Sequence, residues 1–144
     1  MNKRAGYIAI ITALFGILTT GCSTDPAEIH YGSDECAHCR MMISDSRFAG
    51  QIVTEKGKAI KFDAIECLAA YHRTNRENME AAKIWISSFN EPGRWLPVHE
   101  AHIVRSHVIK SPMGEGLLAL PSQNEVENHL KEYPGKEIDW KYLQ

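Results

Sequence analysis

The chain has 144 residues, 44% of them hydrophobic and 24% charged, which suits one compact domain and leaves little room for a second. Its formal net charge is −2, and it moves to −4 once residues 1–21 are set aside, because Lys3 and Arg4 leave while every acidic residue stays. A mildly acidic domain with no basic run makes a poor nucleic-acid binder and is better suited to cations.

Residues 1–21 fall into three zones: Lys3 and Arg4, an apolar run from Tyr7 to Leu18, then the small residues Thr19, Thr20 and Gly21 before Cys22. That layout is a secretory signal. The apolar run is too short to span a bilayer, which takes about 20 residues as a helix. Cys22 stands where bacterial lipoproteins place the cysteine that receives a lipid, although Thr19 occupies the position where the lipobox usually has leucine. The expected organisation is therefore a signal peptide over 1–21, a lipidated flexible tether over 22–32 containing Pro26, and one domain over 33–144. Such a protein sits on the periplasmic side of a bacterial membrane, with the outer membrane favoured.

Beyond the tether, Asp34 to Met42 packs donor side chains into nine residues and is expected to be a loop. Phe48 to Thr54 suits a strand, Glu55 to Lys58 a turn, and Ala59 to Phe62 a returning strand. Asp63 is expected to cap a helix from about Ala64 to Thr74, with Glu66 as its capping-box partner. Asn75 to Ala82 is polar and fits either an extension of that helix or a break.

Lys83 to Ser87 alternates bulky residues as a strand does. Trp95 to His102 reads as an irregular or short helical connection, Ile103 to Ile109 as a strand, Ser111 to Gly116 as a tight loop around Met113, and Leu117 to Leu120 as a short strand. Pro121 and Ser122 open a final helix to about Tyr133, with Glu125 in its first turn. The fold class is α+β: two tandem ββα-type units forming an antiparallel sheet with packed helices.

If Cys22 carries lipid, Cys36, Cys39 and Cys67 remain, and an odd number of thiols in an oxidising compartment leaves at least one free or bound to something. Cys36-x-x-Cys39 lets two sulfurs converge, a spacing shared by zinc ribbons, redox proteins and copper carriers. Methionine separates these readings. Met41 lies two residues beyond Cys39, and Met113 lies on a glycine-framed loop; thioether sulfur suits soft Cu(I) far better than Zn(II). Cys39, Met41, Met113, Cys36 and His38 are the candidate ligands. Met42 is expected to fill core, and Cys67 fits a buried small hydrophobe or disulfide partner better than a ligand. His99, His102 and His107 follow no metal-binding spacing, and His30, His72 and His129 are background.

Cys36-Ala-His-Cys39-Arg-Met41, Phe48 to Ile52, Lys61-Phe62-Asp63 with Cys67 after it, and Ser111-Pro-Met113-Gly together resemble the NosL family, lipoprotein accessory factors of nitrous oxide reductase. The resemblance implies a Cu(I) chaperone serving the maturation machinery or apo form of that enzyme, not itself an enzyme, with a fold similar to the core of organomercurial lyase. By position Cys39 and Met41 match the family's Cys-Gly-Met element and Met113 its Pro-Met-Gly element, while Arg40 stands where the family usually has glycine.

Two other classes compete. A structural zinc module would use Cys36, Cys39, Cys67 and a histidine such as His72, and would unfold on chelation. A thiol-dependent enzyme is the other. An oxidoreductase would place its Cys-x-x-Cys at a helix start, where a hairpin follows here; an organomercurial-lyase-like enzyme would cast Cys39, Cys67 and Asp63 as its thiols and acid.

Overall fold

The computed structural model describes residues 23–144; the signal segment and Cys22 lie outside them. A four-stranded antiparallel sheet is built from β1 (Gly50–Val53), β2 (Ala59–Phe62), β3 (Lys83–Ser87) and β4 (Trp95–Pro97), in the order β2-β1-β3-β4. A three-stranded sheet is built from β5 (His102–Arg105), β6 (Leu117–Leu120) and β7 (Lys136–Ile138), in the order β6-β5-β7. The helices are α1 (Ile65–Asn75), between β2 and β3, and α2 (Gln123–Glu132), between β6 and β7. The two expected ββα units are present as β1-β2-α1 and β5-β6-α2, each extended by further strands into its own sheet.

Side-chain alternation explains the layering. Ile52, paired with Ile60 and Ile84, shares one face of the first sheet with Phe62 and Ile86, and this face packs on Ile65 and Leu68 of α1. In the second sheet Ile103, Leu117 and Ala119 turn toward the same core, while Val104, Leu118 and Leu120 turn toward Val126 of α2. A sheet covered on both faces has no need of polar alternation, which is why β6 reads Leu-Leu-Ala-Leu.

β4 and β7 lie where the sequence suggests no strand. Both are three-residue edge strands, one ending in Pro97 and the other carrying Lys136 and Glu137. Proline and charge are tolerated at an edge because the outer backbone groups need no ladder partner. β5 stops at Arg105, because the chain turns at Ser106 to start the Met113 loop.

The expected tether is not free chain. The Trp85 indole donates to the Thr24 carbonyl at 3.0 Å, Gln51 both accepts from the Ala27 amide and donates to its carbonyl, and Ile29 is buried in the core. Thr24 to Asp34 is thus a strap across the face of the first sheet opposite α1, passing β3 at Trp85 and β1 at Gln51, then meeting β2 where Lys61 pairs with Asp34 at 2.7 Å. The folded unit therefore reaches back to Thr24, and the strap delivers Cys36 to the β2 edge.

Candidate metal centre

Residues 34–43 form a small hairpin with a Glu35–Met42 bridge. Its turn is closed by the Cys36 amide donating to the Met41 carbonyl (2.8 Å) and the Arg40 amide donating to the Cys36 carbonyl (3.0 Å). The Ala37 amide donates to the Lys61 carbonyl at 2.9 Å and pins the turn to β2. One residue beyond β2 comes Asp63, and Cys67 follows in the first turn of α1.

The result is a group of four donors, Cys36, Cys39, Asp63 and Cys67, whose ligand atoms all lie within 4.8 Å of one another. Cys36, Asp63 and Cys67 are buried, Cys39 is partly exposed, and all three cysteines are free thiols.

The electrostatics follow from this crowding. The Cys67 thiol donates to the Cys36 sulfur, and the amides of Cys39 and Asp63 also aim at it, which brings the Cys36 thiol down to about 6 against the burial that opposes ionisation. Cys67 moves upward for the same reason: its proton is held by the neighbouring Cys36 sulfur. Burial raises Cys39, whose thiol also donates to Asp63 Oδ1 at 3.6 Å. The other Asp63 oxygen is buried and has no hydrogen-bond partner. A buried carboxylate oxygen without a partner is costly, and a cation between it and the thiols would relieve that cost.

Asp63 was expected to cap α1. The N-cap is instead Ala64, without a side-chain cap, and the Asp63 carboxyl turns to Cys39. Cys67 is buried, and its sulfur belongs to the donor group. His38 is exposed and stands outside the four-donor group, as does His72, which is buried near the Trp140 ring. Met41 (52% exposed) and Met113 (42%) both present their side chains to solvent. Met42, expected in the core, is 55% exposed, because the hairpin that buries Ile43 turns its neighbour outward. Met113 rides on a loop tied to the site: the Ser111 hydroxyl donates to Glu66, the residue before Cys67, and accepts from the Gly116 amide at 3.0 Å. The spacing of Asp63 and Cys67, one helical turn apart at a helix start, was the available clue to the two donors that the copper ligand set read from sequence leaves out.

Arg40 has φ 66°, the left-handed region that favours glycine. The side chain leaves the turn intact at a conformational cost, and its ion pair with Glu35 (3.0 Å) is exposed and worth little. Arg40→Gly is therefore expected to stabilise the fold by about 0.5–1 kcal/mol in urea melts, the strain relieved outweighing the added freedom of the unfolded chain.

The NosL family model matches residues 26–144. This chain belongs to the NosL family. Among solved structures, the crystal structure of the copper chaperone NosL from Shewanella denitrificans is similar, with a TM-score of 0.67 at 17% identity, covering 81% of this chain and 93% of that one. The α+β fold is thus the NosL fold, and the family match begins inside the strap, in accord with its packing against the sheet. No curated protein matches the chain.

Proposed function

We propose that this protein is a lipid-anchored, extracytoplasmic carrier of Cu(I) that passes the ion to the assembly of nitrous oxide reductase. The observation that carries the reading is the convergence of three free thiols and a buried carboxylate. Three soft sulfurs suit a monovalent copper ion. Membership of the NosL family and a fold shared with a copper chaperone support the cargo, and family membership supports the client.

The residues divide the work. Cys67 is fixed on a helix and Cys36 in a pinned turn, so these two provide a rigid base. Cys39 is partly exposed, and the exposed thioethers of Met41 and Met113 offer neutral sulfur from which a partner can take the ion by ligand exchange. Thioethers need no deprotonation and form no disulfide, which suits a carrier in an oxidising compartment.

The thiol shifts predict a pH profile. Cys36, brought down to about 6, has little proton left to give up at neutral pH, whereas Cys39 and Cys67 are both held above the usual thiol range and must each release one on binding. Apparent Cu(I) affinity should therefore rise about a hundredfold per pH unit between roughly pH 6.5 and 8.5, and the slope should steepen toward about a thousandfold below pH 6, where Cys36 also takes up a proton. Competition with a Cu(I) chelator across pH, with zinc as the control metal, tests both the profile and the cargo. A flat profile would remove the thiols from the ligand set.

A structural zinc ion is the second reading, favoured by the fact that the fourth donor is a carboxylate rather than a thioether. It requires zinc to co-purify and chelation to unfold the domain.

A further inference from the structure

The lipid anchor has almost no slack. Cys22 is two residues from Thr24, whose carbonyl is held by the Trp85 indole, and two residues reach at most about 7 Å. A domain of this size is roughly 30–35 Å across, so the leash is too short to let an arbitrary face meet the membrane. Lengthening it would mean detaching the strap from Trp85 and Gln51 and pulling Ile29 from the core.

The surface beside that attachment point has the chemistry of a lipid contact. A cavity of about 270 Å³ at the β3–β4 edge is lined by Ile84, Trp85, Pro97 and Val98 together with the exposed Lys83 and His99. Tryptophan is a residue favoured at headgroup depth for its amphipathic ring, and an exposed lysine beside it favours an anionic surface. The donor group lies by the opposite edge of the sheet. β2 and β4 are the two edges of the sheet, and the register aligns Lys83 with Ala59, at the end of β2 away from Asp63. From β4 to β2 the separation is roughly 14 Å across the strands, and from the Lys83–Ala59 level to Asp63 it is roughly 13 Å along them.

We propose that the β3–β4 edge around Trp85 rests on the surface of the bilayer that holds Cys22, which turns the thiol cluster away from the membrane toward a soluble partner. This rests on the lipid-anchored reading above, and the test separates the two. The full chain is purified from membranes, the acyl groups on its N-terminal peptide are read by mass, and it is placed in phosphatidylethanolamine–phosphatidylglycerol vesicles containing headgroup-proximal brominated lipid. With Trp95→Phe and Trp140→Phe, the remaining Trp85 emission should be quenched about twofold or more. In the unaltered chain, acetylation of Lys83 by a water-soluble reagent should slow about fivefold relative to a Cys22→Ser chain in solution, with exposed Lys110 unchanged. Acylated protein with Trp85 unquenched and Lys83 unprotected overturns the orientation and leaves the anchor standing. An N-terminus without lipid overturns both.

Discussion

A chain carrying Cys36→Ser is expected to bind Cu(I) at least a hundredfold more weakly than the unaltered protein in chelator competition. Cys36 accepts hydrogen bonds from the Cys67 thiol and the Cys39 and Asp63 amides, so its sulfur is the most readily ionised thiol of the site. A serine hydroxyl is hard, stays protonated and reproduces neither the charge nor the softness. Cys39→Ser should cost at least tenfold. Met113→Leu, which removes a single thioether from an exposed loop, should cost on the order of tenfold at equilibrium and slow transfer as well. Asp63→Asn distinguishes the cargo: a Cu(I) site built on three sulfurs should change by no more than about threefold, whereas a zinc site that needs the carboxylate should lose orders of magnitude. Unchanged Cu(I) affinity in both cysteine variants would remove the donor group from the function.

What the sequence made legible, and what it hid, follows from how local each determinant is. The β1–β2 hairpin, α1 and the turn bearing Cys36 and Cys39 are set by alternation, helical period and a two-residue spacing, all readable within a few positions. Asp63 was misread because Asp-x-x-Glu before an apolar helix is a capping signature, and only the turn arriving from residues 36–39 gives its carboxyl a different partner. The strap was misread because a polar stretch with Pro26 has the composition of a linker. Its clue was Gln51, a polar residue in the middle of an otherwise apolar strand. A fully buried amide needs both an acceptor and a donor, and the Ala27 backbone supplies them. The sheet edges were missed because a three-residue strand containing proline or two charges is specified by the neighbour that pairs with it, not by its own propensity.

The largest effect on stability is expected outside the donor group, at Gly116. It closes the loop that carries Met113: its carbonyl accepts from the Ser106 amide at 3.0 Å, its amide donates to Ser111, and its φ is +70°. An alanine Cβ there would press into the Ser106 carbonyl and lie 2.8 Å from that of Ile109, and both are backbone that cannot swing aside. Strain in the left-handed region and the steric clash together should destabilise Gly116→Ala by about 3 kcal/mol or more, a fall in Tm on the order of 10 °C. Gly114→Ala separates the two contributions, since Gly114 has φ +85° but open space where a Cβ would sit, and it should lose only about 1 kcal/mol. The larger loss at Gly116 has a functional consequence because Ser111 links that glycine to Glu66, the neighbour of Cys67. Shifting Gly116 therefore loosens the ties of Ser111 and Leu117 to Glu66, which join the Met113 loop to the helix that carries a thiol of the site. Gly116→Ala at a temperature where it remains folded should show the weakened copper transfer of Met113→Leu, and Gly114→Ala should not.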